Sequence, residues 1–218
     1  MEKIILNGIL VDKFTNFRKV LVDMNVNDME IIKFDNKKFL TPSLKIFFQT
    51  NCVKNISDKK INQSLAMVGL NEKKINDDPF MFSDSDKYKL LIAMSLINNR
   101  SNYILVYPNL YLDDYNVNLI LKILKKISRE YRKNICIITN NIDLLYRECD
   151  NLIIYNKNKI IYNDKRNYLY NFKETLLNNN YPLPKILEFI SLVEKKQNIK
   201  LEPTFDIKEL MKDIYRNV

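Results

Sequence analysis

A chain of 218 residues, 46% of them apolar, holds one domain or a domain with a small appendage, and global disorder is excluded. Histidine is absent, which removes the commonest metal ligand and neutral-pH base and argues against zinc chemistry and histidine-based triads. The net charge of +9 favours nucleic acid or an anionic membrane surface as a contact, although Lys, Asn and Ile enrichment also follows from an AT-rich coding sequence.

Met1-Glu2-Lys3 followed by Ile4-Ile5-Leu6 is no secretory signal, and the expectation is an intracellular, soluble chain. Lys3–Leu10, Lys19–Asn25 and Met29–Phe34 read as strands, the last two joined by a turn at Asn25-Val26-Asn27-Asp28. Residues 35–56 give no regular signal. Ser57-Asp58 opens a helix through Lys59–Val68, with Gly69 just past its end. A second helix, from Asp84 or Asp86 to about Asn98, has apolar positions over most of its surface and should be largely buried. Its apolar run Leu90–Ile97 is far too short to cross a bilayer.

Tyr103-Ile104-Leu105-Val106-Tyr107 is a continuous apolar run, as a buried parallel strand requires. The helix Asp114–Tyr131 follows, apolar at Val117, Ile120, Leu121, Leu124 and Ile127, and then the buried strand Ile135–Thr139. Strand, helix and strand at this length make a βαβ crossover and hence a parallel sheet. Leu152–Tyr155 and Lys159–Tyr162, joined across Asn156-Lys157-Asn158, read as a hairpin at the sheet edge. Pro182 and Pro184 open a helix to about Gln197, and Asp206 with Glu209 forms a capping-box-like start for the last one. Cys52, Cys136 and Cys149 are scattered, odd in number and without CxxC spacing, so they read as reduced thiols. The expected fold is α/β, with a parallel core, antiparallel N-terminal strands, a helical subdomain at about 57–100 and a helical tail.

The chemistry is framed by what is missing. The chain has two glycines, Gly8 and Gly69, where an average chain of this length carries about 15. Neither lies in a glycine-rich loop of the kind that wraps backbone N–H groups round a phosphate.

Against that deficit stands a run of segments in a familiar order. Ala66-Met67-Val68-Gly69-Leu70 is similar to an E-x-V-G-L helix end, and Phe82-Ser83-Asp84-Ser85-Asp86 takes the place of an L-S-G-G-Q signature. Pro108-Asn109-Leu110-Tyr111-Leu112-Asp113 is similar to P-T-A-G-L-D, Ile138-Thr139-Asn140-Asn141 to the strand ending in a switch histidine, and Leu152–Ile160 to a V-L-x-x-G-K-I hairpin. Together these resemble ATP-binding cassette (ABC) proteins. Pro182–Leu187 and Pro203–Leu210 resemble the C-terminal extension of energy-coupling factor (ECF) transporter ATPases. The resemblance covers residues 57–218 well and 1–50 loosely. It implies a cassette domain at 1–170 and the extension at 171–218.

The family uses ATP and Mg²⁺, and here the departures matter. No G-x-x-x-x-G-K-[ST] is present. Met29–Phe34 stands where a strand should lead into that loop, yet the chain passes straight to Phe39–Leu44, so the loop reads as deleted. Val106 replaces the metal-organising aspartate, Tyr107 the catalytic glutamate and Asn140 the switch histidine. Ser83 keeps the signature hydroxyl, but Asp84 and Asp86 would each repel a triphosphate by about 1 kcal/mol at 4 Å. These five positions, Ser83, Val106, Tyr107, Asp113 and Asn140, read as vestiges of a nucleotide site. No catalytic residue, metal or cofactor is expected. Asp113 either aligns a dimer or caps the helix beside it, and Ser83 either touches a nucleotide or caps its own helix. Lys122, Lys125, Lys126, Arg129, Arg132 and Lys133 form a basic face that a solvated helix explains.

The resemblance implies a degenerate subunit that hydrolyses no ATP. It would pair with an intact cassette subunit and dock on a transmembrane coupling subunit at the cytoplasmic membrane face. The alternatives are a regulatory module using the cassette fold, a nucleic-acid-binding protein supported by charge alone, and a decaying gene remnant. Nucleic acid is not the expected partner.

Overall fold

The computed structural model describes residues 6–25, 27–52, 56–197 and 199–217. The strands are β1 (Leu6–Leu10), β2 (Met29–Ile32), β3 (Asn102–Val106), β4 (Asn134–Thr139), β5 (Asn151–Asn156) and β6 (Lys159–Lys165). The helices are α1 (Phe17–Met24), α2 (Leu44–Asn51), α3 (Asp58–Met67), α4 (Asp84–Asn98), α5 (Pro108–Tyr111), α6 (Asp114–Tyr131), α7 (Ile142–Glu148), α8 (Lys173–Asn178), α9 (Lys185–Gln197) and α10 (Ile207–Asn217). Contacts divide the chain into two units, one of residues 24–138 and one of residues 6–23 with 139–217.

In the first unit β2, β3 and β4 are parallel, with Ile31 opposite Ile104 and Ile104 opposite Cys136. In the β3–α6–β4 crossover α6 has the expected bounds and buries Val117, Ile120, Leu121 and Leu124, while each strand starts one residue earlier than expected and β3 ends at Val106, leaving Tyr107 outside it. Asp113 starts this helix, its carboxylate accepting the N–H of Asn116 at 2.7 Å. Arg132 ends it in a left-handed conformation, φ 52°. The expected helices at 57–68 and 84–98 are α3 and α4, and α4 is buried along Lys87–Ser95. Gly69 follows α3 at φ +76°, a conformation glycine adopts without strain. Of residues 35–56, which carry no regular signal in the sequence, Asn36–Phe39 form a 3-10 turn and Leu44–Asn51 form α2, which Ser43 caps through the N–H of Ile46, while residues 53–55 lie outside the described residues.

In the second unit β1 runs parallel to β5 and β5 antiparallel to β6, giving the expected hairpin. Its two-residue turn, Lys157 and Asn158, has φ of 47° and 67°, the positive pair that matches strand twist. β1 approaches α7 so closely that a Cβ on Gly8 would lie 2.8 Å from Cys149 Sγ. Of the expected strand Lys3–Leu10, residues 3–5 lie outside the described residues.

Two expectations are corrected. Residues 17–24 form helix α1, not a strand. Phe17, Val20, Leu21 and Met24 recur at helical spacing, with Val20 buried, and Asn16 accepts the N–H of Arg18 at 2.9 Å. The β-branched Val20 and Val22 had favoured a strand. The N-terminal strands are also not antiparallel, since β1 and β2 each join a parallel neighbour. Without a strand at 19–25 there is no hairpin to make them so.

The tail holds α8, α9 and α10, preceded by a 3-10 segment at Arg166–Phe172. Asp206 accepts the N–H of Lys208, but Glu209 accepts the Thr204 hydroxyl at 3.0 Å, so the capping box is only half closed. The three cysteines are free thiols, and burial pushes Cys136 up to about 12. No helix among the described residues is long and apolar enough to cross a membrane.

Candidate functional site

Open parallel sheets hold ligands outside the C-terminal ends of their strands. In the first unit that place is the end of β3. Val106 is 2% exposed and Tyr107 follows it with φ 50° and ψ 51°, a left-handed conformation rare for a bulky side chain. The Tyr107 N–H still donates to the Ile138 carbonyl at 2.8 Å, so the turn is tied to β4.

Aromatic rings fill the space beside it. Tyr111 of α5 stacks on Phe34 at 4.1 Å between centroids and on Tyr88 at 5.6 Å. The series continues from Phe34 to Phe39 and from Phe39 to Phe47. The Tyr88 hydroxyl lies 3.2 Å from the Val106 carbonyl and 3.3 Å from that of Ile32, and donates its single proton to one at a time. Burial, with Tyr111 adjacent, pushes this phenol well above its ordinary range, so it stays a neutral donor. Lys87 is 8% exposed, with its ammonium 5.2 Å from the Phe80 centroid and 5.8 Å from that of Phe39. Sequence reasoning missed this cluster, because its members are distant along the chain and the aromatic content alone does not say which rings meet.

At the start of α4, Ser83 is exposed and its hydroxyl accepts the N–H of Asp86 at 3.1 Å, the geometry of a helix cap. Asp86 is ion-paired with Lys73 at 3.4 Å and Lys89 at 3.9 Å, so much of its charge is compensated locally. Lys73 also lies 4.6 Å over the Phe82 ring. Of the two carboxylates expected to repel a triphosphate, Asp84 is the one left exposed on the first turn. Asp113 caps α6. The basic α6 face points to solvent at Lys122, Lys126, Arg129 and Arg132, with Lys126 3.8 Å from Glu130.

The first unit thus contains Ser83, Val106, Tyr107 and Asp113, while Asn140 belongs to the second. Asn140 is exposed after β4, and the next residue, Asn141, caps α7 through the N–H of Leu144.

The structure also relocates the missing loop. After β2 the chain enters the 3-10 turn at Asn36–Phe39, capped by Asp35. The strand–loop–helix order of a phosphate loop is found instead at β1, Val11–Asn16 and α1. That loop has neither the glycines nor the Lys-Ser/Thr pair, but the segment is present and not deleted. The signal was the helical spacing of Phe17, Val20, Leu21 and Met24.

No family model matches the chain. The energy-coupling factor transporter ATP-binding protein EcfA2 of Staphylococcus epidermidis is 29% identical over 147 residues, which are 67% of this chain and 51% of that protein. The chain therefore spans about half the length of such curated relatives. Among solved structures, cbiO1 of Clostridium perfringens, part of the ABC transporter complex cbiONQ, superimposes with a TM-score of 0.63 at 20% identity, covering 86% of this chain and 87% of that one. An ATP-binding cassette solved as a dimer with ADP and Pi gives 0.56 at 16% identity, covering 74% and 85%.

These relatives correct one expectation. The sequence-based expectation of no cofactor is overturned, because the similar proteins are named ATP-binding and one similar structure holds ADP and Pi. At the end of β3, Val106 offers no oxygen to a metal ion, and aromatic rings occupy the adjoining space. In sequence the chain resembles the ATP-binding proteins of energy-coupling factor transporters, and its fold is that of an ATP-binding cassette domain.

Proposed function

We propose that this chain is an ABC-type subunit of an ECF-like transporter that performs no ATP hydrolysis of its own and serves as the structural partner of an active cassette subunit. ATP belongs to that assembly, and its turnover falls to the partner. The observation that carries the reading is the end of β3, where Val106, left-handed Tyr107 and the Phe34–Tyr111–Tyr88 stack replace the acids that would organise metal and water. Ser83 and Asp113, which cap helices here, retain structural work that does not depend on chemistry.

In this reading residues 1–170 form the cassette domain, with 57–100 as its helical subdomain, and residues 171–218 form the C-terminal extension. The assembly includes a transmembrane coupling subunit, which places the chain peripherally at the cytoplasmic membrane face.

The test is co-expression with an intact cassette subunit and a membrane coupling subunit, followed by purification and steady-state ATPase measurement. The chain should co-purify, show background ATPase alone, and leave all activity of the complex sensitive to loss of the partner's phosphate-loop lysine. Purification as a stable monomer that turns over ATP would overturn the proposal.

A further inference from the structure

The loop between β1 and α1 raises a question that stands apart from any transport role. Loops in this topological position ordinarily gather backbone N–H groups round a bound anion. Here the second unit supplies an anion of its own. The Asp12 carboxylate accepts the Thr15 hydroxyl, and it accepts the N–H of Lys157 at 3.2 Å from the turn between β5 and β6. The Thr15 N–H donates to the Asp12 main-chain carbonyl at 3.2 Å, and the N–H groups of Thr15 and Phe14 help to hold the carboxyl below its ordinary value. A second tie runs from the Asn16 N–H to Asn158 Oδ1 at 2.6 Å, so the loop is fastened twice to the same turn. Asn16 then starts α1 through the N–H of Arg18.

We infer that Asp12 is a built-in anion: its carboxylate orders the loop Asp12–Asn16 by occupying the donors that a ligand phosphate would otherwise take. Chain-supplied charge does this economically, because a carboxylate already tethered to the loop it orders loses less freedom than a free anion would. A cavity of about 260 Å³ adjoins the loop, lined by Lys13, Phe14, Lys157, Asn179 and Tyr181, so the space beside the carboxylate is open to a small anion. Removing the Asp12 side chain would leave the Thr15 hydroxyl, the Lys157 N–H and the nearby lysines facing that space. Asp12 orders this loop whether or not the chain serves a transporter.

Amide hydrogen exchange on the full chain tests it, with peptides covering 11–24 and 155–159 and with inorganic phosphate at millimolar concentration as the probe. In Asp12→Gly the loop and the first turn of α1 should lose protection about tenfold, and phosphate should restore part of it. Asp12→Asn, which keeps the shape and loses the charge, should show a smaller loss. The wild-type loop should be indifferent to phosphate, and peptides from 84–98 should be unchanged in every variant, which shows that the fold survives. Undiminished protection in Asp12→Gly, absence of phosphate rescue in that variant, or phosphate-induced protection of the wild-type loop would each overturn the inference.

Discussion

The ends of β3 and β1 are equivalent kinds of place, each the C-terminal end of a parallel strand where an α/β fold ordinarily holds its ligand. This chain closes them by different physics. At β3 the closure is apolar: stacked rings of Phe34, Tyr111 and Tyr88, a buried valine and one neutral phenol hydroxyl. At β1 it is ionic and directional: one carboxylate gathers hydroxyl and N–H donors from its own loop and the next hairpin. Apolar closure carries no charge to titrate and fails through cavities. Ionic closure depends on protonation and on hydrogen-bond geometry.

The largest expected effect breaks the apolar end. Phe39, fully buried against Phe34 and Phe47, becomes a cavity in Phe39→Ala, which should cost about 3–5 kcal/mol in urea denaturation. A loss below about 1 kcal/mol would mean that the ring cluster is loosely packed.

On the β1 side the corresponding test is steric. Gly8→Ala puts a Cβ 2.8 Å from Cys149 Sγ and 3.0 Å from Leu145 Cδ2, and should destabilise by about 1–3 kcal/mol. Cys149→Ala in the same chain should recover part of that loss, since the nearest contact is the sulfur. Strict additivity of the two would show that they do not touch.

Smaller effects separate capping from nucleotide contact. Ser83→Ala and Asp113→Ala should each lower stability by about 1 kcal/mol and leave the ATPase rate of a reconstituted complex unchanged. A fall in rate at full stability would assign them a role at a nucleotide. Arg132→Gly relieves the left-handed end of α6 and should raise stability by about 0.5–1 kcal/mol.

The most local prediction concerns protons. Partial burial raises the Asp12 carboxyl, but the Thr15 hydroxyl and the N–H groups of Lys157, Thr15 and Phe14 outweigh it and hold it below the ordinary value. A depressed folded value means that its contribution is complete above the unfolded carboxylate range and is lost as pH falls through the folded value. The amide resonances of Phe14, Thr15 and Lys157 should therefore move together on acidification below pH 4, while those around Tyr88 hold still. Common movement at both ends would erase the distinction drawn between them.

Much of this was legible along the chain. α6, β3 and β4 were readable because their apolar period is strong and each spans enough residues to outweigh local preference. The β5–β6 turn was readable because Asn tolerates a left-handed backbone. α1 was not, because within eight residues the valines argue for a strand while the spacing of Phe17, Val20, Leu21 and Met24 argues for a helix. That single misassignment displaced the missing phosphate loop from β1 to β2 and made the N-terminal strands antiparallel. The repulsive character given to Asp86 was likewise incomplete, because Lys73 pairs with it from a separate loop.

By itself the sequence determined which groups are lacking: the glycine-rich G-x-x-x-x-G-K-[ST] pattern is not in the chain, and Val106 and Tyr107 carry no carboxylate, so no folding supplies them. It also determined the α/β class, since buried strands and an amphipathic crossover helix have few other ways to satisfy their backbones. Only the tertiary structure decided what occupies the emptied places. Which rings stack at β3 and which donors converge on Asp12 depend on groups brought together from distant segments, and such contacts leave no period in the chain.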